Sequence, residues 1–305
     1  MFSEKYVGTN QLTQSIKGGF SIVRPLSDRD YWEGIKKTAY QQVTSYINGI
    51  GAFDFSLPAS MYLDFVRNGN RTRYEGVCFE RRKALSAYAL LEAMENKGNY
   101  TDKVLDFTWL ILEETTWCVP AHGYLRPEAD GLPNDEHPCL DLFQAETGCL
   151  LSFVLRLFQE KFEQISKNIV PRIKREIDIR VIDNFLIHDD YWWQGFLIRK
   201  NEDGKRYVVN NWNPWILSNV LLCAAAVTPP GERLQSLVEK VMRSLDNYAD
   251  AYPQDGACDE GPSYWNRAGL SLLDCAYFLN QITGGYVNEF ENEKIKNTAE
   301  YITKV

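Results

Sequence analysis

Apolar side chains return at the spacing of a helix along most of this chain, and almost nowhere at the spacing of a strand. In residues 72–96 the stripe runs through Val77, Ala84, Leu85, Tyr88, Leu91 and Met94. Side chains three or four positions apart share a helix face, so this pattern predicts an amphipathic helix. Residues 139–165 are apolar over a wider arc: Leu150, Leu151, Phe153, Val154, Leu157 and Phe158. An arc that wide predicts a helix buried on more than one side. Residues 171–187 open on Pro171 and place Ile173, Ile177, Val181 and Phe185 about a turn apart. Further helices are predicted over 29–49, 100–118, 214–227, 231–249, 263–283 and 289–305. The one strand signal is IRKNEDGKRYVV (198–209), a hairpin around Asp203-Gly204. Two connections are long, 119–138 and 188–213. The expected class is all-α, with successive helix pairs forming a toroid or a solenoid. No fixed period identifies a named solenoid.

Charge narrows the partners. The net charge of -8 gives no basic footprint for the phosphates of a nucleic acid. An acidic substrate would therefore need a local pocket of hydrogen-bond donors. Seven cysteines without tight spacing do not make a disulfide framework. The opening MFSEKYVGTNQL has no apolar leader core, and no run approaches a membrane span. The reading is a soluble, cytoplasmic chain with no membrane partner, although a chain trimmed of its leader would look the same. At the other end Ile295, Ala299, Ile302 and Val305 form a stripe with no Gly, Pro or polar tail after it. That ending leads us to expect further chain beyond residue 305.

Four stretches could carry chemistry. In VVNNWNPWILSNVL (208–221), Asn213-Pro214 reads as an N-cap followed by proline at the first helical position. Asn210, Asn211 and Trp212 then precede a helix N-terminus, where unpaired N–H groups and the positive dipole end suit a carboxylate. The plainer alternative is that these asparagines only shape the loop. In DGACDEGPSYWNRAG (255–269), Gly261, Pro262 and Ser263 start a helix on which Tyr264, Arg267 and Ser271 share a face. A cation beside a phenol would make Tyr264 a better base, while the alternative is an aromatic pair packing at a helix start. The loop 116–141 holds His122 and His137 with Cys118 and Cys139, an irregular imitation of zinc spacing. His122 could equally face a pocket as an acid/base group. In HDDYWWQG (188–195), Trp192 and Trp193 are either sugar-stacking platforms or core. The acid pairs 113–114, 189–190 and 259–260 read as solvated edges, since adjacent side chains diverge on a helix.

Together these stretches resemble the heparinase II/III-like polysaccharide lyases, in particular their N-terminal α/α-toroid domain. The resemblance rests on LPASMYLDFVRNGNRTRYE (57–75), TWCVPAHG (116–123), NNWNPW (210–215) and DEGPSYWNRAG (259–269), and covers most of the chain. It implies that residues 1–305 form a single, incomplete (α/α)-toroid of helical hairpins with long loops at one face. It also implies a C-terminal β-sandwich domain packing on the toroid, in a part of the protein beyond this sequence. The implied reaction is β-elimination on an acidic poly- or oligosaccharide containing uronic acid, with no cofactor and no catalytic metal in this segment. By the same resemblance Asn211 helps neutralise the substrate carboxylate and Tyr264 is the acid/base. Arg267 holds the phenolate or the carboxylate. His122 and Trp212 line the subsite, with Asn210, Trp192, Trp193 and Glu260 as further substrate contacts. Many family members place a histidine directly after the asparagine, where this chain has Trp212. That departure implies either Tyr264 acting as both base and acid or a catalytically inactive, glycan-binding toroid. An inverting glycoside hydrolase is the other enzyme class that such folds host. It would need two carboxylates roughly 6.5–9.5 Å apart.

Overall fold

The computed structural model describes residues 1–18, 20–21, 23–126, 130–197 and 209–305. The proposed hairpin at 198–209 lies outside the described residues except for Val209. Among the described residues every regular element is helical, so the chain is all-α. The α-helices are α1 (Ser3–Tyr6), α2 (Asn10–Ser15), α3 (Arg29–Gly49), α4 (Ala59–Asn68), α5 (Thr72–Glu95), α6 (Thr101–Leu112) and α7 (Leu142–Ile165). They continue as α8 (Ile169–Ile177), α9 (Asn184–Ile187), α10 (Trp212–Val227), α11 (Glu232–Ala249), α12 (Gly269–Ile282) and α13 (Glu293–Lys304). None is long and apolar enough to cross a membrane, among the described residues.

The contacts gather into two compact units. One is Ser21–Arg180; the other joins Met1–Phe20 to Val181–Val305. In the Ser21–Arg180 unit α5 packs against α3 and α6, and α7 packs against α8. α7 buries Leu151, Val154, Leu155, Phe158 and Phe162, the many-sided burial that its apolar arc predicts. Arg29 of α3 donates to the carbonyls of Ala93 (2.8 Å) and Met94 (2.6 Å), so it closes the C-terminal turn of α5.

Inside this unit Glu114 sits between two guanidinium groups. Its Oε1 accepts from Arg81 and Arg82, each at 2.9 Å, and its Oε2 accepts from Arg82 at 2.6 Å. The reading of Glu113-Glu114 as a solvated edge is therefore corrected: Glu114 is buried, and only Glu113 reaches the surface, paired with Arg172 at 2.6 Å. Further guanidinium N–H groups of the two arginines donate to the Phe55 and Cys78 carbonyls and to Thr147.

In the other unit α10 packs against α11 and α12, and α12 packs against α13. α10 is apolar nearly all round, burying Ile216, Leu217, Val220, Leu221 and Leu222. The boundaries of α8 and α6 differ from expectation. α8 begins at Ile169, two residues before Pro171, and passes into a π-helical stretch at Asp178–Asp183. α6 stops at Leu112 rather than running on to residue 118. Three helices carried no signal strong enough to be anticipated. α1 and α2 are too short for periodicity, and α4 is marked only by Pro58 before it and Gly69 (φ 77°) after it. On α13 the buried residues are Lys294, Ile295 and Thr298, while Ala299, Ile302 and Val305 of the expected stripe are exposed.

Removing one partner from a buried charge cluster leaves the others uncompensated, at a cost of about 3–5 kcal/mol. Glu114→Gln should therefore lower the stability of the Ser21–Arg180 unit by about that much in chemical denaturation. A loss of under about 1 kcal/mol would mean that the two arginines hold each other's place without it.

Candidate functional site

The end of α10 is built by three asparagines with three different tasks. Asn211 holds the N-cap position but makes no cap bond with its side chain; Asn210 serves the first turn instead, its Oδ1 accepting from Trp212 N (3.0 Å) and its carbonyl from Asn213 N (3.1 Å). The helix thus starts at Trp212 rather than at Pro214, and Asn213-Pro214 lie inside its first turn. This corrects the expectation of open N–H groups there. Trp212 and Asn213 donate to Asn210, Pro214 has no N–H, and Trp215 N donates to the Asn211 carbonyl at 3.2 Å.

Asn213 is not the cap but the anchor. Fully buried, its Nδ2 donates to the Trp193 carbonyl (2.9 Å), the Ser244 carbonyl (3.1 Å) and Ser244 Oγ (3.0 Å). That side chain ties α10 to α11 and to the short 3-10 turn Trp192–Gln194. Asn211 is the third. It is only 4% exposed, and among the described residues its side-chain amide has no hydrogen-bond partner. Its amide atoms are not among the side-chain polar atoms sealed off from solvent, so they stay open to a group from outside.

Aromatic rings surround this end. Trp192 and Trp212 are both half-buried, with ring centroids 5.1 Å apart. Trp193 is fully buried, stacked between Tyr191 (5.4 Å) and Phe185 (6.3 Å). Its expected role as a stacking platform is corrected: it is fully buried with its ring stacked in the core, whereas Trp192 is half-buried.

DGACDEGPSYWNRAG folds as a turn rather than as the start of the α-helix. Residues Pro262–Arg267 form a 3-10 helix, and α12 begins only at Gly269. Tyr264 and Arg267 therefore do not share an α-helical face with Ser271, which is buried on α12. Two glycines show why the stretch is shaped this way. Gly256 has φ 77°, and a Cβ there would lie 2.3 Å from the Asn297 backbone. At Gly269 a Cβ would lie 2.6 Å from Trp265 Nε1, whose N–H donates to the Thr298 carbonyl at 2.9 Å. Tyr264 is 49% exposed, and its hydroxyl has no partner among the described residues. Arg267 lies with its guanidinium carbon 4.1 Å from the centroid of Trp215, in the first turn of α10. The structure thus brings Arg267 to the same helix end as Asn211, Trp212 and Trp192. Glu260, one turn earlier, is exposed; loss of water around its carboxyl and the neighbouring Asp259 raise its pKa.

His122 belongs to the Ser21–Arg180 unit. Its Nδ1 lies 2.6 Å from Asp141 Oδ2, and its ring stacks on Phe143 at 5.7 Å. Asp141 is fully buried and also accepts from Gln144 N (2.7 Å) as the N-cap of α7. A carboxylate on Nδ1 fixes the tautomer and the ring orientation of a histidine. Asp141 was not anticipated, although Asp141 with Gln144 three residues on is a capping-box spacing. Cys118 and Cys139 are buried nearby, and burial pushes the Cys118 thiol well up, so that it is inert. His137 is exposed, and among the described residues no group of three His, Cys, Asp or Glu side chains could hold a metal ion. The 189–190 acids also have partners: Asp189 pairs with Lys240 at 2.5 Å, and Asp190 lies 3.7 Å from His188 Nδ1.

No family model matches this chain, and no curated protein matches it.

The two inner asparagines should separate cleanly. Asn213→Ala removes three buried hydrogen bonds and should cost about 2–4 kcal/mol in denaturant titration. Asn211→Ala removes an amide that bonds nothing among the described residues and should change stability by less than about 1 kcal/mol. Equal losses from the two would mean that Asn211 is a structural residue.

Proposed function

We propose that the N-terminal end of α10, together with Tyr264, acts on uronic-acid-containing poly- or oligosaccharides by β-elimination. The observation that carries this reading is the unpartnered, solvent-reaching amide of Asn211, a residue only 4% exposed, flanked by the half-buried Trp192–Trp212 pair and by Arg267. Two supports are added: the order of the four stretches that resemble the heparinase II/III-like lyases, and the exposed Tyr264 hydroxyl. An (α/α)-toroid frame belongs to the same reading.

The chemistry asks for these residue types. A proton next to an ionised carboxylate is hard to remove, because the resulting dianion is unstable. Donation from the Asn211 amide to the carboxylate, together with the dipole of α10, lowers that cost. With Asn210 already capping the helix, the amide is the donor that the site has left to give. Tyr264, as phenolate, takes the C5 proton; the C5–H electron pair forms the C4–C5 double bond, and the C4–O4 bond breaks. The same phenol then protonates O4, which restores the phenolate. Trp212 stands where a histidine base would act, so both proton steps fall to Tyr264. Trp192 and Trp212, aromatic residues at this end, are the ones a pyranose CH face would pack beside.

A binding-only site is the second reading. It is favoured by the absence, among the described residues, of any hydrogen bond that would activate the Tyr264 hydroxyl. The elimination product absorbs in the ultraviolet, so one experiment separates the two. Incubation with alginate, glycosaminoglycans and other polyuronates should raise the absorbance with at least one of them. Tyr264→Phe should lower turnover at least 100-fold, the low end of a general acid/base contribution, with KM little changed. Saturable binding without absorbance would establish the binding-only site. Full activity in Tyr264→Phe would remove Tyr264 from the chemistry.

A further inference from the structure

The Ser21–Arg180 unit holds a cavity of about 370 Å³, the size in which small-molecule pockets begin. Its wall includes Leu57, Tyr62, Tyr74, Arg81, Glu114 and Thr116. Tyr62 and Tyr74 meet edge to face, with centroids 4.9 Å apart, and are 6% and 5% exposed. Buried tyrosine hydroxyls ordinarily find a partner. Among the described residues neither of these has one, and neither belongs to the polar atoms sealed off from solvent. Both hydroxyls are therefore left to whatever enters the cavity. Burial pushes both phenols up, so at neutral pH each is protonated and can donate as well as accept.

The rest of the wall limits what that ligand is. Arg81 directs its N–H groups to the Phe55 carbonyl and to Glu114, and Glu114 is held by both arginines. Thr116 Oγ1 accepts from Cys118 N at 3.1 Å. Glu113, also in the wall, pairs with Arg172 at 2.6 Å, so the charges have partners within the protein, and the open functions are the hydroxyls of Tyr62, Tyr74 and the exposed Thr115, beside Leu57. A group that both donates and accepts is matched by another that does the same, and apolar ring edges match CH groups. We propose that this cavity is a binding pocket for a single sugar residue, read through its hydroxyls by Tyr62 and Tyr74 rather than through a charge. The pocket goes beyond the elimination reading and does not rest on it.

Saturation-transfer NMR on the full chain with glucose, galactose, mannose and glucuronate, each at millimolar concentration, tests the pocket. At least one of the neutral hexoses should receive saturation. Tyr62→Phe and Tyr74→Phe keep the rings and lose no internal hydrogen bond, so unfolding midpoints should hold while the Kd for that sugar rises about 3- to 10-fold in each. Ala59→Trp, at an exposed position in the cavity wall, should abolish the signal. The proposal is overturned if no neutral hexose receives saturation. It is equally overturned if both tyrosine variants bind as the parent does, or if a folded Ala59→Trp variant keeps the full signal.

Discussion

The side-chain amide of Asn213 holds the candidate site in place. From the first turn of α10 it reaches the Trp193 carbonyl and both the carbonyl and the hydroxyl of Ser244. Those contacts fix the start of α10 against α11 and against the turn that carries Trp192. Without that tie, the position of Asn211 and the pairing of Trp192 with Trp212 would have nothing rigid behind them. Arg267 adds a second hold on the same end by lying over Trp215. A site built on a helix end anchored in this way can present one unpaired amide with little loss of order.

The three asparagines of NNWNP show how the same residue type takes different work from its neighbours. Asn210 is exposed and caps; Asn213 is buried and anchors; Asn211 is buried and unpaired. Because Asn210 occupies the first N–H groups, the helix contributes its dipole and Asn211 contributes the hydrogen bond. An anion placed here would be read by a side chain, not by open backbone.

Much of the fold was legible in the sequence because it rests on periodicity. The long helices at 29–49 and 72–95 begin and end within a residue of the spans that their stripes predict. What escaped has physical reasons. The first turn of α10 starts two residues early because Asn211, with Asn210 serving the first N–H groups, takes the N-cap position, while Asn213 is drawn to Ser244 and Trp193. Tyr264 lies on a 3-10 turn because Gly256 is held against Asn297, and Gly269 against Trp265, whose indole is itself tied to Thr298; Asn297 and Thr298 lie far along the chain. The burial of Glu114 and the pairing of His122 with Asp141 depend on segments many residues apart, which no local pattern records. Trp192 and Trp193 are neighbours of identical type, and only packing decides that one faces out while the other fills the core.

The elimination reading makes one geometric demand. In a crystal structure of the protein with a uronate disaccharide bound, the carboxylate should lie within hydrogen-bonding distance of the Asn211 amide, with the Tyr264 hydroxyl facing C5 and O4. A disaccharide whose carboxylate is held elsewhere, with the Asn211 amide still unpaired and Tyr264 turned to solvent, would contradict the account.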